Sequence, residues 1–80
     1  MATTNTKLKA DNYFVLHKLC VLRSEFEDEI KELNKELVQI APFTQLARQS
    51  ALRSQIAQLG QRILAVDNTI FAVKSATNRL

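Results

Sequence analysis

Ile40-Ala41-Pro42-Phe43-Thr44 is the stretch that decides the fold of this chain. On both sides of it apolar residues recur at alternating spacings of three and four, the signature of a helix that packs along one seam. Ile40 and Leu52 both occupy the d position of that repeat, yet they lie 12 residues apart, where an unbroken heptad would require 7 or 14. The register slips at the proline. Pro42 lacks a backbone donor and disfavours helical geometry at Ala41, and Thr44 is a candidate cap for a second helix. One long rod is therefore the weaker reading, and the phase predicts an all-α, antiparallel two-helix hairpin of coiled-coil type.

Working outward, the first segment places Leu16, Leu19, Phe26, Ile30, Leu33, Leu37 and Ile40 on one stripe, with Arg23 as its single polar member. The second is stricter: Leu52, Ile56, Leu59, Ile63, Val66, Ile70 and Val73 follow without exception, and the stripe extends to Thr77 and Leu80. Asp11 stands where a carboxylate would cap a first turn. The expected organisation is a disordered, polar and basic tail over residues 1–10, then a hairpin over 11–80. Its helices are expected at about 12–40 and 46–78 around a turn near 41–45, with arms about 45–50 Å long at 1.5 Å per residue.

Antiparallel arms fix which residues meet. Pairs whose numbers sum to 89 give Leu37–Leu52, Leu33–Ile56, Ile30–Leu59, Phe26–Ile63, Leu19–Ile70 and Leu16–Val73 as apolar layers, with Arg23 opposite Val66. The flanking rows agree. Glu27, Glu29 and Glu36 border the first stripe, and Arg48, Arg53, Arg62 and Lys74 border the second. Glu29 is expected across from Arg62. Exposed pairs of this kind contribute only about 0–1 kcal/mol each, so they select a pairing more than they hold it.

Away from the seam the two ends of the hairpin differ. Near the turn, residues 24–36 and 53–62 are polar outside the stripe. Toward the open end, Tyr13, Phe14, Val15, Val21 and Leu22 on the first arm and Leu64, Ala65, Phe71 and Ala72 on the second lie outside it. Apolar residues around most of a helix imply burial on more than one side, and soluble monomers avoid such contiguous patches. An 80-residue core alone supplies about 3–5 kcal/mol. Tyr13, Phe14, Val15, Val21, Leu22, Leu64, Phe71 and Ala72 are therefore the expected interface. It would serve a homo-oligomer, a dimer or higher that completes a helical bundle, or an obligate protein partner.

Composition narrows the function. One glycine and one proline leave too few turn residues for an all-β fold. A lone Cys20 excludes an intramolecular disulfide. No apolar run approaches the ~18–20 residues of a membrane span, and the N-terminus lacks the apolar stretch of a signal peptide, so a cytoplasmic location is expected. His17 and Cys20 have too few ligand-type neighbours for zinc, and the acidic cluster Glu25, Glu27, Asp28, Glu29, Glu32 and Glu36 lacks the glycine-centred spacing of a calcium loop. It reads as a solvated face. No phosphate loop, nucleophile elbow or paired-carboxylate site is present, which points away from catalysis, cofactors and small-molecule substrates.

The charge balance keeps one alternative open. Residues 1–41 carry six bases and seven acids, whereas residues 42–80 carry five bases and one acid. Most of that excess is what two mutually attracting arms require. It also suits a dimeric nucleic-acid binder using Arg48, Arg53 and Arg62. Two residues stay ambiguous at this stage. Gly60 is either neutral or a place of close backbone approach, and Arg23 either reaches outward or specifies register. The favoured reading is a small adaptor or chaperone-like hairpin.

Overall fold

The structure, a computed structural model, describes the backbone of residues 2–40 and 45–80 and the side chains of residues 6–40 and 45–80. Two helices account for nearly all of it. Helix α1 spans Ala2–Gln39 and α2 spans Leu46–Asn78. The helices pack against each other. Three cross-helix bonds set their sense: Glu36 meets Arg48, Arg23 meets Asp67 and Asn12 meets Thr77. Numbers fall on one helix as they rise on the other, so the arms are antiparallel. The result is a rod with extents of 65 × 15 × 12 Å and a radius of gyration of 18.5 Å, against about 12 Å for a compact chain of this length.

The seam is the stripe read from the spacing. On α2, Leu52, Leu59 and Val66 are buried at seven-residue intervals, and Ile56, Ile63, Ile70 and Val73 between and beyond them are half-buried. On α1, Leu16, Leu19, Phe26, Ile30, Leu33 and Leu37 are all half-buried, as is Ile40 just beyond its end. Two cylinders in contact shield only the line between them. Accordingly, among the described residues no large side chain is fully enclosed.

Four local expectations need correction or qualification. Residues 2–10, expected as an unstructured tail, are helical. Lys7, Leu8, Lys9 and Ala10 are good helix formers that carry the helix back from Asp11, and no glycine or proline breaks it among the poorer formers Thr3, Thr4, Asn5 and Thr6. Asp11 lies inside α1 and caps nothing. The register places Asn12 beside Thr77, close to the end of α2, so residues 2–10 run past that end without a facing helix. At the other end, Ala41, Pro42, Phe43 and Thr44, on which the expected turn rests, lie outside the described residues. The N-cap of α2 is Gln45 rather than Thr44. It adopts a left-handed conformation (φ 61°) and its side chain makes no capping hydrogen bond.

Candidate interaction surface

Arg23 decides the chemistry of the middle of the hairpin. Its stripe position aims it at the second helix, where the facing Val66 offers nothing polar. The guanidinium instead turns to the neighbouring Asp67, donating from Nε at 2.6 Å, and pairs through Nη1 with Glu27 one turn along α1. The hydrogen bond to Asp67, then the attraction of the Asp67 and Glu27 charges, raises the Arg23 pKa above its already high ordinary value. Both partners are about two-fifths exposed. Arg23 therefore reaches outward as a partly solvated bridge. The sequence held the signal for Asp67: the only polar member of the first stripe and the only acid of the second arm have numbers summing to 90.

At the open end Thr77 is buried. Its hydroxyl donates to the Val73 carbonyl at 2.7 Å and accepts from the Asn12 amide at 3.0 Å. This bond joins residues 65 positions apart and fixes the last layer of the seam, where spacing alone placed Thr77. Leu80, the next stripe position, is exposed.

Around this end stand the residues expected to form an interface, all of them exposed, though Val15, Val21 and Leu22 are more than half covered by the chain itself. Tyr13 is 61 %, Phe14 63 %, Leu64 61 % and Phe71 72 % exposed. Val15, Val21, Leu22 and Ala72 are exposed as well. The repeat explains why. Tyr13, Phe14, Val15, Val21 and Leu22 fill the e, f and g rows of α1, and Leu64, Phe71 and Ala72 the b and c rows of α2. A single antiparallel neighbour reaches only a and d. Leu8 extends the same row as Val15 and Leu22 at a seven-residue step and is exposed too. Lys18 holds its ammonium 5.3 Å from the centre of the Phe14 ring, a cation–π contact one turn away.

The apolar end is also cationic. Lys7, Lys9, Lys18, Lys74 and Arg79 are exposed there, against the exposed acids Asp11 and, at the level of Leu64, Glu25. Two exposed apolar side chains at the turn end, Val38 and Leu46, escaped the sequence reading, although Val38 lies at an outward position of a polar run.

On the turn half, a groove runs along one side of the rod with Leu33 and Leu59 in its floor. Asp28, Glu29, Glu32 and Glu36 form one wall, and Gln55, Gln58 and Arg62 the other. Glu29 and Arg62 share this groove as expected, but the ion pair that closes across the hairpin here is Glu36 with Arg48. Lys35 pairs with Glu32 at 3.2 Å along α1. Of the three arginines considered for nucleic acid, Arg48 is thus already partnered by an acid, and Arg62 shares a groove with four acids and Lys35. Arg53 occupies the e row, on the opposite side of the rod from the g row of Arg48 and Arg62.

Among the described residues, no three His, Cys, Asp or Glu side chains converge as a metal ion would need. His17 and Cys20 are exposed. No helix is long and apolar enough to cross a membrane among those residues. Comparison with protein-family models, curated proteins and solved structures finds no match to this chain.

Proposed function

We propose that this protein is a non-enzymatic interaction module, a small adaptor or chaperone-like helical hairpin that engages a protein partner through the apolar surface of its open end. One observation carries the reading. Eight apolar residues singled out by their place outside the stripe stand exposed together at one end, while the seam beside them is already satisfied. A rod with its own seam filled gains nothing internally from Phe71 or Tyr13. Covering such side chains releases about 25 cal/mol per Å² of apolar area, so a second surface is where their burial stabilises anything.

A nucleic-acid role for Arg48, Arg53 and Arg62 asks that they form an unopposed basic face. The Glu36 partner of Arg48, the acids that share a groove with Arg62 and the separation of Arg53 from both weigh against those three residues. Binding to nucleic acid that weakens steeply with salt would favour that role instead. Site-specific photo-crosslinking in the source cells tests the main reading. A benzophenone side chain at position 71 is expected to give protein adducts, whereas the same probe at Gln61, on an outward polar row, is expected to give few. Equal yields at both positions, or adducts to nucleic acid at 71, would count against it.

A further inference from the structure

We infer that the α1 half of the open-end surface receives an amphipathic partner helix that sets a carboxylate on Lys18, in the middle of a ring formed by Phe14, Val15, Val21 and Leu22. This inference rests on the interaction reading above and specifies the chemistry of the partner.

Lys18 carries the argument. Side chains three and four residues away are neighbours on a helix surface, and for Lys18 these are Phe14, Val15, Val21 and Leu22. No other lysine or arginine of the chain is ringed by four apolar residues. The ammonium lies 5.3 Å from the centre of the Phe14 ring, and among the described residues no acid pairs with it. Lys18 and all four ring residues are exposed. Lys18 belongs to the c row, with Phe14 and Val21 in the f row on one side of it and Val15 and Leu22 in the g row on the other. A helix laid along the c row touches both flanks at once.

Covering the ring has a consequence for the lysine. Any surface that buries Phe14 and Leu22 also strips water from the ammonium between them, and a buried charge without a partner is strongly unfavourable. The occupant must therefore bring an anion to the centre of an apolar patch. Asp11 and Glu25 stand seven residues to either side of Lys18 in the same row, about 10 Å away at 1.5 Å per residue. The row thus reads acid, base, acid. A partner helix of the reverse pattern, one acid between two bases at seven-residue steps, meets all three in opposite sign.

Other occupants fit this pattern less well. A second copy brings the same row, and a twofold contact sets Lys18 on Lys18 and Asp11 on Glu25. An anionic lipid surface meets two like charges and draws the lysine toward hydrocarbon, whereas membrane-surface helices keep their bases on the polar face. A uniformly acidic strand gains at Lys18 and loses at Asp11 and Glu25.

Two synthetic three-heptad peptides with the same leucine stripe test this. One carries glutamate between two lysines at seven-residue steps, and the other carries lysine between two glutamates. Fluorescence anisotropy with the full chain is expected to show the central-glutamate peptide binding about tenfold tighter, the scale of one charge-assisted contact. High salt should narrow the gap. Lys18→Glu should invert the order and Lys18→Gln should abolish it, each with helical circular dichroism retained. If Lys18→Glu fails to fold, Lys18→Gln alone decides. Phe14→Ser should weaken both peptides. Equal binding of the two peptides, binding of neither, or an order unchanged in the Lys18 variants would overturn the inference. So would a protein that sediments with phosphatidylserine vesicles yet ignores both peptides, or a dimer mass that Phe14→Ser returns to monomer. Position 71 lies on α2, away from this patch, so its cross-links judge the interaction reading separately. Protein adducts at 71 without any peptide preference would leave that reading standing and remove this one.

Discussion

Arg23 sits where the seam wants an apolar side chain, and it is tolerated because two carboxylates meet it at the edge. Its raised pKa has a definite sign. The charged form is favoured in the fold, so the stabilisation is fully present at neutral pH and is lost only in strong alkali. Asp67→Asn is expected to lower the thermal midpoint by no more than a few degrees, the effect fading at high salt and vanishing in an Arg23→Met background. Equal losses in both backgrounds would mean that the pair is not coupled. Gln45 is the other residue with a local conflict. A left-handed conformation costs an ordinary residue about 1–2 kcal/mol, and glycine adopts it freely, though with more chain entropy to lose. Gln45→Gly should therefore raise stability by about 0.5–1 kcal/mol in urea titration.

Among the helices themselves, Gly60 settles one question. A Cβ built there would meet nothing within 4 Å, so among the described residues no backbone requires the glycine. Gly60→Ala should stabilise α2 by about 1 kcal/mol, the usual helix-interior difference, as read by chemical unfolding. The stripe residues were legible because one periodicity dictates both helix formation and which face is buried. Leu52, Leu59 and Val66 are buried for that reason. The start of α1 was not legible, since Asp11 offers a capping chemistry and the residues upstream mix good helix formers with the poor ones Thr3, Thr4, Asn5 and Thr6. Arg23 with Asp67 was half legible: spacing located both, but a rule that pairs a with d has no place for a side chain reaching from a to e. The open-end surface was legible as residues outside the stripe. Its exposed extension Leu8, and Val38 and Leu46 at the turn end, were not, since single surface apolar residues are common and carry little signal.

For the whole molecule, the rod has many neighbours along its seam and none around it. On the proposed reading, folding of such a chain is coupled to whatever covers its remaining apolar surface. If a partner helix does so, the midpoint of thermal unfolding rises with the concentration of that partner, because the bound state is favoured by mass action. A tenfold increase in the central-glutamate peptide above saturation should shift the midpoint upward by a few degrees, whereas an invariant midpoint would mark a hairpin that gains nothing from it. The same coupling predicts that Lys18→Glu removes the concentration dependence while sparing the seam residues Leu52 and Leu59.

The register leaves the first turns of α1 projecting beyond Asn78 with no helix opposite. About nine residues at 1.5 Å each make a spur of roughly 13 Å, and an isolated helix of that length is marginal in water. Its amide protons should exchange with solvent orders of magnitude faster than those near Leu59, and trypsin should clip after Lys7 and Lys9 before it reaches Lys31. A partner that grips the spur would slow both processes together, giving a label-free signal of occupancy.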